Sequence, residues 1–217
     1  VNTQRFNFNV GGSITIPNIP ISINNLRCST ITVRNTLKGS IAGNTLILKE
    51  KAKVNVKTVN FQNYVIDENC ETLCKVGDFV LSKDKKSLLV SDLTGAQTVI
   101  PQTVERVEDM AVLGSTFTSI KVPNNVTFIG SHFSGMQMET VDIGENVEEI
   151  RDYFCYNNVA LKKVIFRGRV KIIYSAFNWG NRWGEFAIYV RNEDIEYYKS
   201  LFKSPYNTYV KSIDEMK

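Results

Sequence analysis

The residues able to do chemistry in this 217-residue chain are few. His132 is the single histidine. Proton shuttles and most zinc sites draw on imidazole, and His132 has neither a base nor a nucleophile near it in sequence. Of the four cysteines, Cys28, Cys70, Cys74 and Cys155, only Cys70 and Cys74 are close, and the other two lie 42 and 81 residues from that pair. A structural zinc site wants two short-spaced pairs, so no metal or other cofactor is expected. The stretch Gly39 to Gly43 is followed by Asn44 and Thr45 and lacks the lysine of a phosphate-cradling loop. Glu148 and Glu149 sit between Val147 and Ile150 and read as solvent-facing, and no carboxylate pair stands out for glycoside hydrolysis. The chain is therefore expected not to be an enzyme.

Charge points the same way. Residues 1–77 carry 9 Lys or Arg against 4 Asp or Glu, and residues 78–217 carry 17 against 18, so the net +4 arises in the first third. There, residues 46–59 alternate as one strand would, with Leu46, Leu48, Ala52, Val54 and Val56 on one face and Lys49, Lys51, Lys53 and Lys57 on the other. Lysines without interleaved aromatics or arginines supply charge but little base readout, so nucleic acid is not expected as a partner. The stripe reads as a solvated, aggregation-resistant face. Hydrophobic residues make up 43% and charged residues 22%, the balance of a globular protein. No apolar run approaches the roughly 18 residues of a membrane span.

The elements that must position these residues follow from a repeat. From residue 98 onward the same order recurs: a short apolar strand, a Pro or Gly, a Val three residues later, a branched residue after three more, and an aromatic four beyond. It reads Val99-Ile100-Pro101, Val104, Val107; then Ile120 to Pro123, Val126, Ile129, Phe133. It continues with Val141 to Gly144, Val147, Ile150, Phe154, and with Val164 to Phe166, Val170, Ile173, Phe177. The Val positions are 22, 21 and 23 residues apart, and Val107, Ile129, Ile150 and Ile173 keep those intervals. A period near 22 predicts a solenoid, because one rung cannot bury its own apolar side and equivalent residues must stack into columns. Ala111 stands where the first rung should have an aromatic, and Thr98 where it should have a branched strand residue.

The strings Ile120 to Phe133 and Val147 to Phe154 resemble BspA-type leucine-rich repeats. Asp78 to Val90 resembles the hairpin that opens such arrays, and residues 188–213 resemble their closing strand, helix and terminal strand. The likeness covers about residues 78–213. In the closing helix Asn192 is placed to cap, with Ile195, Tyr198 and Phe202 on one face. The expected fold is mainly β: a right-handed leucine-rich-repeat solenoid over 78–217 with a C-terminal helical cap, preceded by a small β-rich domain over 1–77. In that domain Ile14 and Ile16, then Ile19, Ile21 and Ile23, then Ile31 and Val33 alternate between Asn- and Gly-rich turns. The resemblance implies an exported, surface-associated protein that binds partners without catalysis. A first residue of Val rather than Met also favours a processed, exported chain. Export in turn predicts a bridge from Cys70 to Cys74 or to Cys28, with Cys155 left as a free thiol.

The partner surface is read from alternation along the strands. Val99, Lys121, Asp142, Ile165 and Tyr189 fall between column positions and should form an outward row, with Ile165 and Tyr189 as apolar anchors. Its mixed chemistry suits a protein ligand bound by a monomer. The alternative is a carbohydrate-binding module using Trp179 and Trp183, with Tyr189, Tyr197 and Tyr198 nearby.

Overall fold

The computed structural model describes residues 8–16, 21–22, 26–91, 99–114, 116–134, 137–173, 177 and 186–216. They fall into two compact units, Val1–Gly95 and Ala96–Lys217.

In the first unit, β1 (Phe8–Ile16), β2 (Ile21–Ser22), β3 (Leu26–Val33), β4 (Thr36–Leu48) and β5 (Lys53–Ile66) make one sheet. Every pairing in it is parallel. Only Arg34 and Asn35 separate β3 from β4, a spacing that suits a hairpin, yet the chain does not reverse there. It turns a corner. The second half of β4 returns beside β3, pairing Leu26 with Ile41 through Val33 with Leu48, while its first half lies beside β2 and the start of β5. Ile14, Ile31, Leu46 and Tyr64 thereby align in one column, and Val10, Cys28, Gly43 and Phe61 in another. Gly43 is required in its column, since a Cβ there would lie 2.1 Å from the Cys28 carbonyl oxygen. The N-terminal third is therefore also built of parallel rungs. Its core includes the fully buried Ile31, Val33, Leu37, Leu46 and Phe61.

The single lysine-striped strand expected over 46–59 is not formed. Residues 49–52 are a turn closed by the Ala52 amide donating to the Lys49 carbonyl (2.8 Å), with Ala52 buried beneath it. Lys49 pairs with Asp67 at 3.2 Å, Lys51 lies on the turn, and Lys53 opens β5, so the lysines fall on different legs of the coil. The side chain of Lys57, like Ile19, Ile23 and Thr98, lies outside the described residues. β6 (Leu73–Val76), β7 (Phe79–Ser82) and β8 (Ser87–Ser91) follow as antiparallel neighbours, so the expected hairpin at 78–90 is present. Its turn is held by Asp84, which accepts from the Ser82 hydroxyl (2.6 Å) and the Lys86 amide (3.0 Å).

All four cysteines are free thiols, which corrects the expected Cys70 bridge. Three of the thiols have partners where they stand. The Cys28 thiol donates to the Thr30 carbonyl, the Cys74 thiol donates to the Ser82 carbonyl across the hairpin, and Cys70 is buried beside the Thr72 hydroxyl. Burial raises the thiol pKa of Cys28, Cys74 and Cys155. Alkylation without reductant should therefore modify only the half-buried Cys74 slowly in the native protein, and all four after unfolding. Mass spectrometry checks this, and two unreactive cysteines in the unfolded chain would mean a bridge.

In the second unit short parallel strands stack in two ladders. β9 (Arg106–Val107), β11 (Phe128–Ile129), β13 (Glu149–Ile150) and β15 (Ile172–Ile173) form one. β10 (Ser119–Val122), β12 (Thr140–Ile143), β14 (Lys163–Phe166), β16 (Ala187–Val190) and β17 (Val210–Ser212) form the other. The fixed intervals have a backbone cause. Val104, Val126 and Val147 each donate to the carbonyl three residues back, on Pro101, Pro123 and Gly144, at 3.0, 3.2 and 3.4 Å. Each rung then bonds the next at equivalent places, Gly130 to Val107, Arg151 to Ile129, Cys155 to Phe133 and Phe177 to Phe154. Val104, Val126, Val147 and Val170 are buried, as are Phe133, Phe154 and Phe177, and Ala111 is buried in the aromatic's place. A further column, Phe117, Met138 and Leu161, lies three residues before the strand residues Ile120, Val141 and Val164.

The array is closed by a 3-10 turn at Asn192–Asp194, helix α1 (Ile195–Leu201) and β17. Tyr198 stacks on Phe166 at 4.9 Å, and Phe202 packs on Phe166 and Phe177. Tyr198 and Phe202 are buried, with Ile195 only partly so. Asn192 does not cap α1, contrary to expectation: the 3-10 turn precedes the helix, Asp194 is its N-cap residue, and the Asn192 amide bonds the Asp214 carboxylate instead.

Candidate functional site

Strand register sets Val99, Lys121, Asp142, Ile165, Tyr189 and Lys211 side by side, one per rung. Neighbouring strands lie about 4.8 Å apart, so the row is a continuous strip of side chains. Its members differ in accessibility. Val99 is 43% exposed and Lys121 is exposed. Asp142 is half-buried and is gripped by the Arg167 guanidinium through two bonds of 2.8 and 2.9 Å. That grip raises the pKa of Arg167 and makes Asp142 one end of an ion pair, not a free carboxylate. Arg167 was absent from the sequence-derived site, because nothing in its spacing says which rung its long side chain reaches back to.

Ile165 and Tyr189 depart from expectation. They are 4% and 8% exposed, and together with Ala187 they form a small cluster on which Ile213 and Met216 pack. Both stand in register in the column of Lys121 and Asp142. What the strand pattern could not show is that the chain returns over them. They are not open anchors. A second outward column, Ser119, Thr140, Lys163 and Ala187, runs beside the first.

Trp179 and Trp183 lie outside the described residues. The nearby tyrosines that can be placed have structural partners: the Tyr198 hydroxyl donates to the Gly168 carbonyl (2.6 Å), and that of Tyr197 donates to the Val170 carbonyl (2.8 Å). His132 stacks on Tyr153 at 4.6 Å with its backbone in the left-handed region (φ 56°), as are Met110 and Tyr153 at neighbouring rungs. The Asn125 amide donates to the Gln102 carbonyl of the preceding rung (2.6 Å), so it works as a rung-to-rung tie. Among the described residues no three His, Cys, Asp or Glu side chains come together as a metal site, and no helix is long and apolar enough to cross a membrane.

Residues 92–204 match the BspA type leucine rich repeat region, in six copies. The chain belongs to the BspA-type leucine-rich repeat family. No curated protein matches the sequence. Among solved structures, a leucine-rich repeat protein from Eubacterium ventriosum ATCC 27560 superposes with a TM-score of 0.59 at 12% identity, over 83% of this chain and 72% of that one, a likeness of fold. The pneumococcal vaccine antigen PcpA aligns at 12% identity over 96% of this chain and 90% of its own, with a TM-score of 0.34. In BspA-type terms the outward row is the strand face of the repeats. Asp142 with Arg167 and the exposed Val99, Lys121 and Lys211 are its accessible part.

Proposed function

We propose that the chain is a non-enzymatic scaffold of an exported or surface-associated protein, and that it binds a protein ligand through the outward row of its repeats. The observation that supports this most is the row itself. An aliphatic residue, a lysine and an arginine–carboxylate pair stand in register on adjacent strands of a sheet whose other side is packed core. Such a strip has neither the single charge sign that suits a polyanion nor the dense exposed aromatics that suit sugar stacking, whereas mixed apolar and charged contacts are usual at protein interfaces. Kinship with the BspA type supports the surface placement.

The experiment is a pulldown with the intact protein, followed by affinity measurement on the ligand it identifies. Val99→Asp combined with Lys121→Glu should weaken binding at least tenfold and leave the thermal melt unchanged. Undiminished affinity would move the interface off the strand face. A glycan array tests the carbohydrate alternative, and a saccharide bound by the intact chain but lost in Trp183→Ala would favour it.

A further inference from the structure

The two outward columns change character one rung apart, the first at Ile165 on β14 and the second at Ala187 on β16. Before those points the first column carries Val99, Lys121 and Asp142 and the second Ser119, Thr140 and Lys163, Lys163 sharing its strand with Ile165. Beyond them come Ala187, Ile165 and Tyr189, all three buried, before the first column ends on the exposed Lys211. Apolar residues on the outward side of a sheet need a cover, and the chain supplies one from its own final turn. Ile213 and Met216 pack on the three, in a cluster separate from the large core of the first unit. The cover is a short 3-10 turn, Ile213–Glu215, whose bonds are largely its own. The Ser212 hydroxyl accepts from the Asp214 amide (3.0 Å), Glu215 accepts from the Ser212 amide (3.1 Å), and the Met216 amide returns to the Ile213 carbonyl (3.1 Å). Two apolar side chains and the Asn192–Asp214 bond hold it to the rest of the unit, and its N-cap residue Ser212 pairs with Val190 in the sheet.

We propose that Ile213–Met216 is a strap that occupies the apolar end of the partner face in cis. The partner that displaces it carries a peptide of the same pattern, an aliphatic residue, two acids and a second aliphatic residue. This rests on reading the outward row as the partner face and says what that face selects. Three lysines, Lys121, Lys163 and Lys211, stand on the two outward columns around the covered cluster, while Asp142 is already committed to Arg167. The charge around the floor therefore complements an acidic segment, which is what the strap itself presents through Asp214 and Glu215. With the strap in place the accessible row is interrupted at Ile165 and Tyr189. With it lifted, the row runs unbroken from Val99 to Lys211.

The test uses the full-length chain with Ile213→Ser and Met216→Ser, and a fluorescent octapeptide of the sequence of residues 210–217 as the probe. Fluorescence anisotropy should show saturable binding to the double variant, at least tenfold tighter than to the unaltered protein. Adding Tyr189→Ser to the double variant should abolish that binding. Equal affinity for the double variant and the unaltered protein, or binding that survives Tyr189→Ser, would overturn the proposal. So would loss of cooperative unfolding in the double variant, which would make the turn a wall of the fold. Hydrogen exchange on the unaltered protein gives an independent reading. Amides of residues 213–216 should exchange at least a hundredfold faster than those of β14 and β16, and equal protection would again count against a strap. Failure of the Val99 and Lys121 variant to affect the protein ligand, with octapeptide capture intact, would remove the partner-face reading while leaving the strap as a closing device.

Discussion

Ile150→Asp is expected to destabilise the second unit by about 3 kcal/mol or more, whereas Glu149→Ala, one residue away, should change its stability by less than about 0.5 kcal/mol. Ile150 is fully buried in β13, paired in register with Ile129 on one side and Ile173 on the other. An aspartate there has no cation to meet, because its neighbours in the column are aliphatic on both sides, and ionised or neutral it forfeits the packing of two rungs. Glu149 faces outward, half-buried and paired with Arg151 at 2.6 Å, and an exposed pair of that kind is worth a few tenths of a kcal/mol. Both tryptophans, Trp179 and Trp183, belong to the second unit, so tryptophan fluorescence during urea unfolding follows that unit alone. Two variants with the same midpoint would mean that the columns are shifted by one residue from those drawn here, since a one-residue slip exchanges the faces of every strand.

The columns were legible because the same chemistry recurs at nearly constant spacing. Val104, Val126, Val147 and Val170 are identical in type, and in the first three the turn bonded from the Val amide to the carbonyl three residues back forbids insertion between the Pro or Gly and the Val, while the Val170 amide donates to the Tyr198 hydroxyl. Loops after the aromatics carry no such bond and drift in length. In the first unit the rungs exist but their residues do not repeat. Ile14, Ile31, Leu46 and Tyr64 share a column at intervals of 17, 15 and 18 residues, with a register shift between Lys38 and Ser40. Alternation of apolar residues identifies a strand there and says nothing about the direction of its neighbour. A two-residue link such as Arg34-Asn35 serves a hairpin and a coil corner equally well.

The candidate site was legible as a row and misleading as a surface. Which side of the sheet Ile165 and Tyr189 occupy follows from period-two alternation, a local property. Whether that side meets water depends on Ile213 and Met216, some 24 to 51 residues further on. A signal was present all the same. Along the row the residue type passes from Lys121 and Asp142 to Ile165 and Tyr189, and a change from polar to large apolar at equivalent outward positions marks where a cover begins.

Asp194→Ala should loosen the C-terminal closure by about 2 kcal/mol, and the loss should shrink in acid. Asp194 opens α1 with its side chain 1% exposed, gripped by Arg169 from the last rung and by Arg191 at 2.6 Å. Burial alone would raise its pKa, but the hydrogen bonds from Arg169 and then Arg191 outweigh that and hold it below the ordinary carboxylate value. The sign follows from linkage. A carboxyl whose pKa is lower folded than unfolded adds stability fully above its unfolded value of about 3.9, and that stability fades as the pH falls through the folded value. The unaltered protein should therefore exceed Asp194→Ala in tryptophan-monitored stability by a constant margin from pH 5 to 8, and the two should converge below about pH 4. The arginines keep about half their surface in water, so removing the aspartate leaves them able to rehydrate, which holds the cost below that of a fully buried pair. Tyr198→Phe separates the clamp from the packing beneath it. That ring stays stacked on Phe166 while the hydroxyl loses its bonds to the Gly168 carbonyl and the Val170 amide, so its destabilisation should persist unchanged at pH 3. A margin for Asp194→Ala that is likewise unchanged at pH 3 would mean that the closure is held by the aromatic stack and not by the carboxylate.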